Sequence, residues 1–123
     1  MKNMVYYGEE EYDFKHIPFF FFLGGAQMKE SAFQAKLIKR LKEIFPGCIV
    51  LKNDAGYIQG FPDLTVLYKD KWALLECKRK NEAHKQPNQQ YYVDKGNEMS
   101  FAAFISPENE EDVLSDLQQA FGA

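Results

Sequence analysis

The chain has few cysteines, few histidines and no long apolar run. Cys48 and Cys77 are its only cysteines among 123 residues, too few for a disulfide framework, and neither lies at zinc-ligand spacing from a histidine. His16 and His84 are isolated in sequence, which favours surface or loop positions over metal ligation. The longest apolar stretch, 17–23, is far shorter than the roughly 20 residues of a transmembrane helix. We therefore expect a reduced, soluble, cytoplasmic protein with no membrane partner.

The chain also lacks an overall excess of positive charge. Its 15 Lys and Arg residues against 18 Asp and Glu residues give a net charge of −3, which excludes a wholly basic protein that coats nucleic acid. The charge is unevenly spread, because residues 28–106 carry 13 basic against 9 acidic residues, whereas residues 107–123 carry none against 5. A cationic centre between acidic ends fits a surface that faces a polyanion. An ordinary mixed, solvated surface fits it nearly as well.

The spacing of apolar residues predicts one small globular domain with the element order α β β β α β α. The predicted helices span 29–45, 88–95 and 108–121, and the predicted strands span 48–51, 63–68, 72–79 and 101–106. Helices that alternate with strands in this way predict an α/β fold with a mixed central sheet flanked by helices. Gly96 is expected to end the second helix.

Residues 1–27 show no clear helical or strand period, and they include the apolar block Phe19–Phe22. That block fits an added strand, a dimer contact, or sequence that precedes the functional start. Since Met28 opens an ordinary amphipathic helix, we expect a functional domain over 28–123 and an N-terminal extension without an assigned role over 1–27.

The strands at 63–68 and 72–79 predict a hairpin that brings ionisable side chains together. Side chains alternate between the two faces of a strand, so Glu76 and Lys78 share one face and Cys77 points to the other. An even-length turn centred on 69–70 places Asp63 directly opposite Glu76 on that same face. An odd-length turn would instead place Asp63 opposite Cys77. Because Lys-Asp is not a favoured two-residue turn, the sequence predicts a four-residue turn.

A third carboxylate lies on the buried side of the first predicted helix. At 100° per residue, Glu30 falls within the apolar stripe, and Gln34 follows one turn later. A buried carboxylate is costly unless it is paired or coordinated, and a metal ion or Lys78 would offset that cost. The alternative is that Glu30 belongs to a frayed first turn and faces solvent.

Carboxylate and carbonyl oxygens are the ligands that hard divalent cations such as Mg²⁺ prefer. Asp63, Glu76 and the backbone carbonyl of Cys77 would supply such ligands. The cation would polarise a phosphodiester oxygen and lower the pKa of a bound water, while Lys78 orients or deprotonates the nucleophile. The alternative is a surface salt bridge between Lys78 and either carboxylate.

The ordered set of motifs Gly60-x-Pro62-Asp63, Glu76-x-Lys78 and Pro87-x-Gln89, after a helix that carries Glu30 and Gln34, resembles the PD-(D/E)XK nuclease signature. Within that superfamily the chain most resembles the VRR-NUC group, small nucleases often encoded by phages or attached to repair proteins. The resemblance covers about residues 28–106. It implies a restriction-endonuclease-like core and an Mg²⁺- or Mn²⁺-dependent phosphodiesterase. It further implies a homodimer that acts on branched DNA such as Holliday junctions, in the host cytoplasm if a phage encodes it.

The resemblance also implies a role for each motif residue. Asp63 and Glu76 would be metal ligands, and Lys78 would be the catalytic lysine. Glu30 would be an additional ligand, directly or through water, and Gln89 would position Lys78 or the water. For Cys77 only the backbone carbonyl would take part, and we expect its side chain to be packed and inert.

Basic and aromatic residues flank the expected site in the sequence and are candidates for DNA contact: Lys69, Lys71, Arg79, Lys80, Lys85 and Tyr92, which adjoins Tyr91. Lysine and arginine bind phosphates, and a tyrosine can stack on an unpaired base. No base-reading helix is evident, so we expect selectivity for DNA structure rather than for sequence. Two other function classes stay open. One is a catalytically silent nuclease-fold module that binds DNA in a replication or repair complex, and the other is a structural adaptor that assembles through Phe19–Phe22.

Overall fold

The computed structural model describes the backbone of residues 4–7, 10–13, 25–80 and 85–123, and the side chains of 30–80 and 85–123. The expectations about His16, His84 and the Phe19–Phe22 block therefore lie outside the described residues.

Three helices and six strands make up the described part of the chain. The helices are α1 (Gly25–Ile44), α2 (Pro87–Met99) and α3 (Glu110–Phe121). The strands are β1 (Met4–Tyr7), β2 (Glu10–Asp13), β3 (Ile49–Lys52), β4 (Leu64–Tyr68), β5 (Lys71–Cys77) and β6 (Phe101–Ile105). From α1 onwards this is the predicted order. The prediction missed the antiparallel β1–β2 hairpin, which precedes it in the chain.

The other four strands form one mixed sheet in the order β3-β4-β5-β6. The β3–β4 and β4–β5 pairs are antiparallel, whereas β5 and β6 are parallel. The predicted α/β class with a mixed sheet between helices is therefore confirmed. Strand β5 lies inside the sheet, and its last residues come next to the end of β6.

The main hydrophobic core lies between one face of the sheet and the helices α1 and α3. Strand residues that alternate along β4 and β5 point into it, as period two requires. Helix α1 contributes apolar residues at helical spacing. Full burial of one large apolar side chain stabilises the folded state by about 1.5–3 kcal/mol. The core includes Phe33, Leu37, Leu41, Phe45, Leu64, Val66, Ala73, Leu75, Cys77, Leu114, Leu117 and Phe121. Arg40 on α1 ties the start of α3 through ion pairs with Glu110 and Glu111.

A smaller core lies on the opposite face, under α2. Leu74, Val93 and Ala102 are its buried members, with Phe61 and Trp72 packed against them. The sequence predicted that Gly96 ends α2. That prediction was wrong, because the helix continues to Met99. A Cβ atom at Gly96 would lie 2.9 Å from both Ala102 Cβ and Leu74 Cδ1, so this glycine lets the helix approach the sheet closely.

Further boundaries differ from the prediction, and among them β5 ends at Cys77 rather than at residue 79, so Lys78 lies just after the strand. Helix α1 begins at Gly25, three residues before Met28, so Glu30 lies in its second turn rather than in a frayed first turn. The β4–β5 turn has two residues rather than four, since Tyr68 pairs with Lys71. Lys69 adopts a φ of +56°, and this left-handed conformation supplies the twist that a two-residue hairpin turn requires.

Within the described ranges, no helix combines the length and the apolar character that crossing a membrane would require.

Candidate active site

Asp63 and Glu76 face each other across the open end of the β4–β5 hairpin. The ladder has the predicted even register, in which Leu64 pairs with Leu75, and it sets Asp63 against Glu76 one step further on. The backbone N–H of Asp63 donates to Glu76 Oε1 at 3.1 Å, and the backbone N–H of Cys77 donates to Asp63 Oδ2 at 2.9 Å. Each carboxylate therefore fixes the backbone of the opposite strand where the regular ladder ends.

Lys78 and Gln89 complete this polar cluster. Lys78 Nζ lies 3.9 Å from Glu76 Oε2 and donates to Gln89 Oε1 at 2.7 Å. The Gln89 Nε2 amide in turn donates to Glu76 Oε2 at 2.8 Å. One carboxamide thus holds both the carboxylate and the ammonium group, and it reaches them from the first turn of α2. The four residues Asp63, Glu76, Lys78 and Gln89 are called the polar cluster below.

The loop before Asp63 is positioned by a close approach to α2. Gly60 has a φ of +84°, and a Cβ atom there would lie 2.4 Å from Asn88 Cβ. Only glycine combines that conformation with that proximity. From the other side, Asn53 Nδ2 donates to the Pro62 carbonyl at 2.8 Å and to Thr65 Oγ1 at 2.9 Å. The loop is therefore held between β3 and the start of α2, which explains why the Gly60 and Gln89 motifs belong to one site.

Burial shifts the pKa values of both Asp63 and Glu76, and like charge adds to the shift of Glu76. Glu76 is 4% exposed, and desolvation together with the negative charge of Asp63 raises its pKa to about 8, against the opposing effect of Lys78. Desolvation also raises the pKa of Asp63, while its hydrogen bond from Cys77 and the charge of Lys78 act in the other direction. A buried carboxylate and a half-buried one that face each other across the hairpin favour a shared proton or a bound cation between them.

Glu30 lies at the edge of the same site. Its side chain is half-buried, and burial followed by the charge of Asp63 raises its pKa, whereas Lys78 and Arg79 lower it. The charge of Glu30 in turn contributes to the raised pKa of Glu76. The structure therefore brings a third carboxylate within electrostatic reach of the polar cluster.

Cys77 is packed on the opposite side of β5. Its side chain is fully buried in the main core, and burial raises the pKa of its thiol well above the ordinary value. Gln34 on α1 makes a side-chain hydrogen bond to it. The expectation of a packed thiol is confirmed, and it leaves the Cys77 backbone as the only part of this residue that can serve the site.

The donor set fits a hard divalent cation of the Mg²⁺ kind. Asp63 and Glu76 supply two carboxylates whose mutual repulsion a cation would relieve, and each carboxylate oxygen has a second lone pair beyond its present hydrogen bond. Among the described residues, no group of three or more His, Cys, Asp or Glu side chains is arranged to hold a metal ion. Mg²⁺ is commonly held by only one or two carboxylates and retains several waters, so the pair with the Cys77 carbonyl is chemically sufficient.

The predicted DNA-contact residues fall into two groups. Arg79 and Lys80 follow the polar cluster directly and are exposed. Lys80 and Lys85 line, together with Lys78, a shallow pocket of about 130 Å³ beside the end of β6. Lys85 Nζ also lies 4.5 Å above the Phe104 ring.

The remaining candidates are differently placed. Lys69 lies in the β4–β5 turn and Lys71 begins β5, both at the opposite end of the hairpin from Asp63 and roughly 20 Å away by the rise of a strand. These two lysines therefore flank the polar cluster in sequence but not in space, and their contact with DNA stays a prediction. Tyr92 is half-buried against Phe61 at a centroid distance of 5.3 Å, whereas Tyr91 is 58% exposed.

Sequence reasoning missed the residues that hold the site in place. Asn53 was assigned only to a loop, and Thr65 only to a strand, although together they anchor the turn at Pro62. Gln86 was not singled out, although its backbone N–H donates to Gln89 Oε1 at 3.1 Å. Gln86 and Gln89 form a capping box at the start of α2, but the sequence signature of that motif begins with Ser, Thr, Asp or Asn, so this pair gave no recognisable signal.

Comparison of the chain with protein-family models, with curated protein sequences and with solved structures gives no match.

Proposed function

We propose that this protein is a metal-dependent endonuclease that hydrolyses phosphodiester bonds in branched or otherwise distorted DNA. The observation that carries the proposal is the convergence of Asp63, Lys78 and Gln89 on Glu76, with Lys78 Nζ 3.9 Å from Glu76 Oε2. The proposal includes a restriction-endonuclease-like core for the mixed sheet, with Glu76 on its inner strand β5, Lys78 directly after that strand and Asp63 just before β4. It also includes membership of the VRR-NUC group, which the order of the motifs supports.

The proposed metal ion is Mg²⁺ or Mn²⁺. Asp63, Glu76 and the Cys77 carbonyl would hold it, with Glu30 as a further ligand directly or through water. When bound, the cation supplies Lewis acidity to a phosphodiester oxygen and makes water a better nucleophile at neutral pH.

The chain's own residues would position and stabilise the reacting groups. Lys78 places a positive charge where negative charge develops on the phosphoryl group, and the hydrogen bond to Gln89 Oε1 limits the positions that its Nζ can adopt. Burial of Glu76 removes water from the cluster, which strengthens each of these electrostatic contacts. Arg79, Lys80 and Lys85 would contact the neighbouring phosphates.

A homodimer is part of the proposal because symmetric cutting of both strands of a junction requires two sites. The cytoplasm is the proposed location.

Cleavage assays with a four-way junction, a duplex and a single strand test the proposal, each with Mg²⁺, Mn²⁺ or EDTA. We expect the wild type to cut the junction only with metal, and Lys78→Ala to lose at least about a hundredfold in rate, as for removal of a group that stabilises transition-state charge. Lys36→Ala, an exposed lysine of α1, is the matched control and should cut like the wild type. Cutting that persists in EDTA, or that survives Lys78→Ala, would overturn the mechanism.

One observation favours a second candidate, a nuclease-fold module that binds DNA without cutting it. Asp63 Oδ2 and both oxygens of Glu76 accept hydrogen bonds from groups of the protein, so the cluster is internally satisfied without a cation. Retention of junction DNA with no cleavage in either metal would select this module over the nuclease.

A further inference from the structure

A polar pocket adjoins the polar cluster on the side of the Gly60 loop. It has a volume of about 340 Å³ and lies between that loop and the start of α2. Its lining residues are Gln59, Gly60, Gln86, Pro87, Asn88 and Gln89. Gln89 belongs to both sites, because its side chain holds Glu76 and Lys78. A ligand group in this pocket would therefore lie directly beside the groups proposed to act on a phosphodiester.

The chemistry of the lining is uncharged and rich in carboxamides. Four of the six lining residues are Asn or Gln, and none is ionisable. A carboxamide offers a donor and an acceptor side by side, which is the arrangement that pairs with the edge of a nucleobase. A phosphate group is better served by cations, and Lys78, Lys80 and Lys85 line a different pocket. The lining thus favours a neutral ligand with a hydrogen-bonding edge.

The walls of the pocket are held in place before any ligand enters. Asn88 Nδ2 donates to the Gln59 carbonyl at 3.4 Å, which joins the loop to the helix. The close approach of Gly60 to Asn88 prevents the two walls from moving closer together. A site that is already formed loses less entropy on binding.

An exposed aromatic ring stands beside the pocket. Tyr91 lies three residues after Asn88, so both side chains project from the same side of α2. It is 58% exposed, and the edge contact with the Tyr92 ring at a centroid distance of 5.0 Å restricts its orientation. Such a ring offers a face on which a base can stack.

We propose that this pocket receives one unpaired nucleobase next to the phosphodiester that the polar cluster acts on, with Gln59 and Asn88 reading the base edge. The proposal rests on the proposed function. A base paired and stacked within a duplex presents neither its Watson–Crick edge nor its face to the pocket, whereas a base at a bulge or branch point presents both. The pocket thereby accounts for selectivity for distorted DNA without a base-reading helix in the major groove.

The test compares two duplexes that differ at one position. Each carries a single-nucleotide bulge, which bears adenine in one duplex and is abasic in the other. Fluorescence anisotropy in EDTA measures both affinities without cleavage. We expect the wild type to bind the adenine bulge at least about fivefold more tightly, since a good contact to a base edge is worth about 1–3 kcal/mol.

Variants assign the preference to the pocket. Gln59→Ala with Asn88→Ala should lose most of the preference, because only stacking on Tyr91 would remain. Asn88→Ala alone should lose part of the preference, and circular dichroism checks that each variant is folded. Gln90→Ala is the matched control because Gln90 is exposed on the same helix, bonds to Asp94 and lies outside the lining, so it should keep the full preference.

A cleavage arm with Mn²⁺ separates this inference from the proposed function. Equal wild-type affinity for the two duplexes overturns the nucleobase pocket, and metal-dependent cutting of both would leave the nuclease proposal standing. A preference that survives undiminished in the double variant also overturns the pocket. A preference that the double variant loses wholly or mostly supports the pocket even if no substrate is cut, and in that case the nuclease proposal fails instead.

Discussion

Glu76 Oε1 accepts a hydrogen bond from the backbone N–H of Asp63 at 3.1 Å, across the end of the β4–β5 hairpin. A second hydrogen bond, from the Cys77 N–H to Asp63 Oδ2, joins the same two segments with the donor on the other strand. The two side chains thus extend the pairing of the strands beyond Leu64 and Leu75, where the backbone ladder ends. The two carboxylates have a structural role as well as a proposed chemical one, so experiments on them must separate stability from activity.

Stability should fall as the pH rises through the neutral range. In the folded protein the pKa of Glu76 is raised to about 8 from an ordinary value of 4.5, so the folded state binds the proton more tightly than the unfolded state. The stabilisation from this bound proton is fully present below pH 4.5, and it is lost as the pH rises to the pKa of Glu76 in the folded protein, about 8. We expect the free energy of unfolding to fall by more than about 1 kcal/mol between pH 5.5 and 8.5. Urea denaturation in EDTA measures it.

The control for this pH dependence is Glu76→Gln, which keeps an acceptor for the Asp63 N–H but has no proton to lose. Its unfolding free energy should vary much less over the same range. A wild-type stability that rises with pH would contradict the raised pKa of this carboxylate.

A divalent cation should reverse the loss of stability at high pH. At a concentration tenfold above its dissociation constant, a ligand specific for the folded state contributes about 1.4 kcal/mol. For a chain of this size that corresponds to several degrees in Tm. Thermal unfolding at pH 8 with and without Mn²⁺ measures the shift, and Asp63→Asn should abolish it. Asp70→Asn, an exposed carboxylate in the distant turn, should retain the full shift, and an equal shift in all three proteins would exclude this site as its source.

Two glycines allow the close approach at the Gly60 loop to be measured. Gly60 and Gly47 have nearly the same φ, +84° and +88°, but a Cβ atom would meet Asn88 at 2.4 Å in the first case and nothing within 4 Å in the second. Gly47→Ala should cost about 1 kcal/mol for the left-handed conformation alone. Gly60→Ala should cost about 1–3 kcal/mol more because of the clash, and it should also displace Asp63. Denaturation curves of both variants give the difference in unfolding free energy. Equal losses would mean that the Gly60 loop is not in close contact with α2.

Gln89 should act as a positioning residue for the polar cluster. Its Nε2–H donates to the charged form of Glu76, so Gln89→Ala should raise the pKa of that carboxylate further and shift the pH–rate profile of cleavage to higher pH. The rate at neutral pH should also fall by about tenfold to a hundredfold, because Lys78 loses its acceptor. Gln90→Ala should leave both properties unchanged. A reduced rate with an unshifted profile would assign Gln89 a packing role only.

The features that a local period determines could be predicted from the sequence. Alternation along β5 assigned Cys77 to the core and Glu76 with Lys78 to the opposite face, and the index symmetry of a hairpin set Asp63 against Glu76. Helical spacing in the same way predicted the first helix, whose Phe33 and Leu37 lie in the core. These results follow from geometry that every strand or helix shares.

The features that depend on contacts distant in sequence could not be predicted. Lys69 adopts a left-handed conformation because the paired strands on both sides require the twist, although isolated lysine disfavours it. Gly96 looks like a helix end in sequence, but in the fold it is the point where α2 approaches Leu74. Gly60 contacts Asn88, which lies 28 positions later in the chain, and no local sequence pattern predicts this contact.

The division of the interior into a large core and a small one has a practical consequence for the single tryptophan of the chain. Trp72 packs against the small core under α2, and its carbonyl accepts a hydrogen bond from Ser100 Oγ at the end of that helix. Its emission therefore reports whether α2 is docked, whereas the far-ultraviolet signal sums over all three helices. Since α2 carries Gln89, a change in the tryptophan spectrum on heating should coincide with loss of the Gln89 contacts to Lys78 and Glu76.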